Sequence, residues 1–89
     1  MIRVLFVCHG NICRSPMAEF IMKDIVKKAG LDEKIEISSV AATQDEIGND
    51  MYPPAKRKLE EMGIPYTRRA ARLFTGADYE KYDVIIINF

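Results

Sequence analysis

The sequence predicts an α/β fold built on a parallel sheet, and three observations carry that reading. Val4-Leu5-Phe6-Val7 and Val84-Ile85-Ile86-Ile87 are short, unbroken apolar runs rich in β-branched residues, the pattern of strands covered on both faces. Ile35-Glu36-Ile37-Ser38-Ser39-Val40 is a further strand candidate. The chain between it and the first strand is long enough to hold a crossover helix, which makes the three a βαβ unit.

Taken in order, the first strand is broken by Gly10 and Asn11. Ser15 is a candidate helix cap, with Pro16 as the first helical residue, where a missing N–H is harmless, and Gly30 as the stop. Between them Met17, Phe20, Ile21, Ile25 and Ala29 recur at helical spacing, with Lys23, Asp24, Lys27 and Lys28 on the wet side. Residues 41–52 carry Gly48, Asn49 and Asp50 without a period and read as a long loop. A second helix is expected over 53–62, with Ala55, Leu59 and Met62 on one side and Gly63 as terminator. Its Lys56–Glu60 and Arg57–Glu61 pairs have the weaker, basic-first order and add little. Residues 68–74 fit no single element, and 76–82 read as a short helix. The last strand, the most apolar of all, is followed by Asn88 and Phe89 alone. A helix would be expected to cover it, so the sheet reads as incomplete at this end, or as completed by another chain.

The 89 residues suffice for one small domain, 1–89. Thirteen basic residues balance thirteen acidic ones, so no general field draws the chain to nucleic acid or to an anionic membrane, and any anion site must be local. Cys8 and Cys13 lie in one short segment and form no disulfide framework, which suits a reducing, cytoplasmic setting. The N-terminal apolar run is too short for a secretory signal, and no apolar run approaches the length of a membrane span.

The chemistry concentrates in Cys8-His9-Gly10-Asn11-Ile12-Cys13-Arg14-Ser15-Pro16, between a buried strand and a helix start, where open α/β sheets place their ligands. Backbone N–H groups curling into a helix N-terminus make a nest for a tetrahedral oxyanion. Gly10 permits the close turn and Asn11 tolerates a left-handed conformation. Arg14 adds a planar fork of donors for two phosphate oxygens. The same field lowers the pKa of Cys8 towards a thiolate, to which Ser15 can donate its hydroxyl. The reaction implied is displacement at phosphorus through a phosphocysteine, with no metal or cofactor needed and inorganic phosphate or sulfate as simple ligands. His9, the single histidine, belongs to no metal-ligand spacing and reads as a side chain at the mouth, with general-acid duty as the lesser alternative. Cys13 reads either as a packed thiol or as a redox partner that shields Cys8 from irreversible oxidation. A purely structural reading makes Cys8 a core cysteine, Gly10-Asn11 an ordinary turn and Arg14 a solvated helix start.

At these residues the chain resembles the low-molecular-weight protein tyrosine phosphatases: Cys8, five residues, then Arg14-Ser15, with Gly10-Asn11, Cys13 and Pro16 between and after, followed by Met17-Ala18-Glu19. Ala41-Ala42-Thr43, Glu46-Ile47-Gly48-Asn49, Pro54-Ala55, Gly63-Ile64, Ala71-Arg72 and Asp78-Tyr79 through Tyr82-Asp83 are similar to family segments in the same order. The resemblance implies a three-layer, flavodoxin-like parallel sheet, incomplete at its C-terminus. It makes Cys8 the nucleophile and Arg14 the phosphate-binding arginine. Residues His9, Gly10, Asn11, Ile12, Cys13 and Arg14 form the phosphate loop, which Asn11 holds in its strained shape, and Ser15 steadies the thiolate. The substrates implied are phosphotyrosine proteins or small phosphomonoesters.

The likeness has departures. The family's general acid lies in an Asp-Pro-aromatic segment, and no such segment occurs in these residues. Val40 stands where a serine is common, Arg69 where a supporting histidine is expected, and Asn88-Phe89 where Met-Asp is usual. The loop before Glu46 reads one residue short and lacks a rim aromatic, while Asp45 and Asp50 are expected near the pocket without being general acids. Two other functions share the pattern. An arsenate reductase of the same fold would need later cysteines, and none follows Cys13. A phosphate-binding module, impaired for want of the acid, would keep the loop without the turnover. The final strand is also expected to allow a dimer.

Overall fold

The computed structural model describes residues 1–87. Strands β1 (Ile2–Cys8), β2 (Ile35–Ala41) and β3 (Val84–Ile87) form one parallel sheet in the order β2-β1-β3. Helix α1 (Arg14–Lys28) connects β1 to β2, and α2 (Pro53–Glu61) and α3 (Gly76–Lys81) lie between β2 and β3. The flavodoxin-like parallel arrangement expected from the sequence is therefore present. No helix among the described residues is long and apolar enough to cross a membrane.

Strand β1 is central, between β2 and β3, and is apolar on both faces. Its even residues Val4 and Phe6 pack with Val26 of α1 and Ile37 of β2, and its odd residues Leu5 and Val7 pack with Val40 and Tyr82 on the opposite face. Register is fixed by this alternation, with Val4 opposite Ile37 on one side and Val84 on the other. Strand β3 is as apolar as β1 yet sits at an edge, with Val84, Ile86 and Ile87 exposed. Of its residues Ile85 packs inward, against the cluster of Leu5, Val7, Val40 and Tyr82. Asn88 and Phe89, at which a family position was expected, lie outside the described residues.

Helix α1 departs from the expectation at both its start and its stripe. It begins at Arg14, not Pro16, with Cys13 in the cap position and no side-chain cap. Ser15 is inside the first turn and its hydroxyl is engaged elsewhere, as described below. The helix is also clamped between two surfaces. Ala18, Met22 and Val26 face the sheet, whereas Met17, Phe20 and Ile21 face α2 and Met51, leaving Ile25 exposed. The stop at Gly30 has the left-handed φ of 73° that suits glycine after a helix.

In α2, Ala55 and Leu59 are buried as expected, but Met62 is half exposed. Neither basic-first pair forms: Lys56 Nζ turns back to Asp50 at 2.6 Å, and Lys58 pairs weakly with Glu61 at 3.5 Å. Residues 68–74, ambiguous in sequence, run extended and touch the end of β2 through a bridge between Ala41 and Leu73. The short helix α3 has a capping box that the sequence reading overlooked. Thr75 Oγ1 accepts the Asp78 N–H, and the Asp78 carboxylate accepts the Thr75 N–H.

Candidate active site

The chain leaves β1 at Cys8 and turns through residues 9–13 into α1, so the turn's amides and the helix N-terminus surround the end of the central strand. The Cys8 side chain is almost wholly covered, yet it lines an open pocket of about 370 Å3 with His9, Gly10, Ile12, Cys13, Arg14, Asp45 and Glu46. The purely structural reading of a cysteine sealed in the core is thus not what the fold contains.

The sulfur is held by donors. Ser15 Oγ is 3.0 Å from Cys8 Sγ, and the Asn11 N–H donates to it at 3.2 Å. Burial is the largest single influence on this thiol and pushes its pKa up. The Ser15 hydroxyl and the backbone N–H groups of Ser15, Asn11 and Gly10 together outweigh it, so the pKa lies below the ordinary thiol value. Arg14 is exposed, lines the pocket, and has no salt bridge among the described residues, so its guanidinium remains available to an anion.

Two residues give the turn its shape, each for its own reason. Asn11 sits at φ 60°, the left-handed conformation that asparagine tolerates best among non-glycine residues. Gly10 has no positive φ; its need is space, because a Cβ there would come within 3.1 Å of the Glu46 side chain.

Beneath the loop lies a buried polar network centred on the fully buried Asn11. Asn11 Nδ2 donates to Ser15 Oγ at 2.8 Å and to Ser39 Oγ at 2.9 Å. Ser39 Oγ donates in turn to Glu19 Oε1 at 2.5 Å, and Lys23 Nζ closes the chain at Glu19 Oε2, also at 2.5 Å. Asn11 Oδ1 accepts from the Arg69 guanidinium and from the Arg72 N–H at 3.3 Å. Arg72 itself is gripped by both oxygens of Asp78 at 2.9 Å. Ser39, Glu19, Arg72 and Asp78 were all missed by sequence reasoning. The signal for Ser39 was its alternation: it points opposite to Val40 and so to the loop's side of β2, and the hydroxyl sought at position 40 is supplied by position 39 instead.

At the mouth, His9 is exposed and its Nε2 is 2.8 Å from Asp45 Oδ2. The His9 carbonyl accepts the Thr43 N–H and hydroxyl, each at 3.1 Å, which ties the loop to the segment after β2. The Ile12 carbonyl accepts the Tyr52 N–H at 2.7 Å. Asp45 therefore flanks the pocket, as expected, whereas Asp50 does not line it. Burial raises the Asp50 pKa, but Lys56 Nζ, the Met51 N–H at 2.7 Å and the Arg69 N–H at 3.1 Å prevail and hold it at about 2. Cys8 and Cys13 are both free thiols. Cys13 packs against the cluster of Phe20, Met51 and Leu59 while its other side meets the pocket.

A sulfur of lowered pKa, bonded by backbone N–H groups, lies at the carboxyl end of a parallel strand, the edge at which open α/β sheets place their ligands. The family model for low molecular weight phosphotyrosine protein phosphatase matches residues 3–88, and the chain belongs to that family. It is 43% identical over 86 residues to the low molecular weight protein-tyrosine-phosphatase YfkJ of Bacillus subtilis, a match covering 97% of this chain and 55% of that protein. The crystal structure of YfkJ superposes with a TM-score of 0.94 at 42% identity, over 98% of this chain and 55% of that one. The Drosophila arginine phosphatase DARP superposes with a TM-score of 0.91 at 30% identity, over 97% of this chain and 54% of that one. The chain spans about half the length of the curated relatives it matches.

Proposed function

We propose that the 8–15 loop binds the phosphoryl group of a phosphomonoester and that Cys8 takes it up as a phosphocysteine, phosphotyrosine being the substrate class. The observation that carries this reading is the sulfur held at once by Ser15 Oγ at 3.0 Å and the Asn11 N–H at 3.2 Å, below an exposed Arg14. The Cys8 thiolate attacks phosphorus in line, so that the S–P bond forms as the P–O bond to the leaving group breaks. The loop amides, those of His9, Gly10, Asn11, Ile12 and Cys13 included, and the Arg14 fork carry the charge on the three equatorial oxygens. Water then attacks the phosphocysteine and releases inorganic phosphate, returning the thiolate. The departing oxygen must gain a proton, and a positioned acid is typically worth about 10²–10⁴-fold.

A second reading is a phosphate-binding module that keeps the loop, forms the phosphocysteine and turns over poorly. Rapid mixing with an aryl phosphate whose phenol leaves without protonation separates the two, with phosphoarginine run in parallel because of the likeness to an arginine phosphatase. The phosphatase reading expects a burst close to one equivalent followed by steady release. A burst with negligible steady turnover supports the module, and phosphate binding with no burst overturns the covalent step altogether.

The same reading includes self-association through β3, whose outer edge meets no strand among the described residues and whose Ile86 and Ile87 are exposed. Sedimentation is expected to show mass rising with concentration, and a constant monomer mass would contradict it.

A further inference from the structure

We propose that His9 is the general acid of the phosphoryl transfer and that Asp45 is the positioning residue that orients its ring: the two stand hydrogen-bonded at the mouth of the pocket, where the leaving group must point. The proposal rests on the reading of Cys8 as the nucleophile that takes up the phosphoryl group, and adds to it the proton that the departing oxygen requires.

In-line displacement fixes where such an acid must be. Cys8 Sγ attacks from the floor, held there by Ser15 Oγ and the Asn11 N–H, so the breaking P–O bond lies opposite the sulfur and its oxygen faces the mouth. His9 directly follows the nucleophile in the chain and lines the same pocket, as do Asp45 and Glu46 from the segment after β2. The contact of His9 Nε2 with Asp45 Oδ2 at 2.8 Å joins these two walls, and both side chains are more than half exposed, open to a bound ester. The backbone secures the same junction, because the His9 carbonyl accepts the Thr43 N–H and hydroxyl. The other titratable groups of the pocket are differently engaged. Cys8 is the nucleophile, Arg14 serves the equatorial oxygens, Cys13 packs against the cluster around Phe20, and Glu46 accepts from Asn49 Nδ2 at 2.6 Å.

An imidazolium donates from both ring nitrogens. With Nε2–H on Asp45, Nδ1–H is the donor left for the ester; a carboxylate behind a histidine fixes its ring orientation in just this way in nucleophilic hydrolases. As the P–O bond breaks, Nδ1 gives its proton to the departing oxygen, which leaves as a neutral phenol or alcohol. The neutral imidazole then takes a proton from the water that attacks the phosphocysteine. His9 is again an imidazolium when the S–P electrons return to the sulfur and inorganic phosphate departs. This acid is separate from the Asp-Pro-aromatic residue of the family pattern.

The test is the leaving-group dependence of the burst, whose second-order rate reports the steps through P–O cleavage. Dinitrophenyl phosphate, whose phenol departs without protonation, is compared with phenyl phosphate, whose phenol does not. His9→Gln keeps a polar side chain but cannot act as an acid. It is expected to widen the ratio of the two burst rates by about 100-fold, the lower end of what a positioned acid supplies. Asp45→Asn should widen the ratio in the same direction by less, and Asp45→Glu should narrow it again. In the unsubstituted protein the phenyl ester should lose ground to the dinitrophenyl ester as pH rises from about 5 to 8, the range in which histidine gives up its proton. In His9→Gln that trend should vanish. An unchanged ratio in His9→Gln overturns the proposal, and so do equal losses on both esters, which mark a disturbed loop and not a missing proton. If His9→Gln does not fold, a ratio in the unsubstituted protein that stays constant over the same pH range overturns it as well. If the unsubstituted protein gives no burst with dinitrophenyl phosphate, the phosphocysteine reading fails and this inference falls with it. A burst whose ratio is the same with and without His9 fails the His9 inference alone.

Discussion

Cys8→Ser is expected to abolish phosphate-ester turnover, by about four orders of magnitude or more, and to strengthen the binding of inorganic phosphate. Removal of a covalent nucleophile acts on that scale in other hydrolases. The donors at this position are one hydroxyl and a set of amides, with the Ser15 Oγ contact at 3.0 Å. They lower a thiol's pKa enough to matter but cannot ionise a serine hydroxyl, whose intrinsic pKa is far higher. On the proposed reading the same substitution removes the thiolate's negative charge from the floor of the phosphate pocket, so the repulsion that a bound phosphate meets there disappears. Stopped-flow assay of an aryl phosphate and calorimetric titration with phosphate check the two halves. Turnover surviving in the serine variant would exclude Cys8 as nucleophile, and weaker phosphate binding would contradict the account of the floor.

Asn11→Ala should be the most damaging change away from the reacting sulfur, costing about 3 kcal/mol of stability and most of the phosphate affinity. The side chain is fully buried and joins four partners, Ser15 Oγ, Ser39 Oγ, the Arg69 guanidinium and the Arg72 N–H. Alanine leaves them facing a void, and each unsatisfied buried group costs roughly 1–3 kcal/mol before relaxation. Alanine must also adopt φ 60°, where a non-glycine side chain without a local hydrogen bond is strained by about 1–2 kcal/mol. Asn11→Gly separates these causes: it relieves the strain and keeps the broken network, so its stability should lie about 1 kcal/mol above that of Asn11→Ala. Thermal unfolding of both, with phosphate titrations, decides it. Equal stabilities would mean that backbone conformation plays no part, and wild-type phosphate affinity in either variant would show that the network does not shape the loop.

Much of the fold could be read from period and punctuation. Strand β1 declared itself by the unbroken apolar run Val4 to Val7, and it is the strand with neighbours on both sides. The helix starting at Pro53 and the left-handed glycine after α1 follow from the backbone limits of those residues. Position Ser15 shows where such reading stops. A serine before a proline looks like a cap, and it is not one here, because its hydroxyl is drawn to the Cys8 sulfur and the Asn11 amide. Ile25 shows the same limit for helix faces: α1 meets two surfaces, so its apolar side is not one stripe.

By itself, the order of residues determined that a cysteine, a turn with a left-handed asparagine, an arginine and a helix start would follow one another at the end of a buried strand. These are neighbours in the chain, and local geometry alone brings them together. Only the tertiary structure decided what lies beneath them. Glu19, Ser39, Arg69 and Arg72 come from three separate segments, 28 positions separating Ser39 from Asn11 and 58 separating Arg69 from it. Apart from Arg69, at a supporting position of the family pattern, and the alternation that turns Ser39 inward, nothing in their local sequence marks them as partners. They meet because packing of β2 against β1, and of the extended segment before α3 against the end of that sheet, leaves buried donors and acceptors that must find one another.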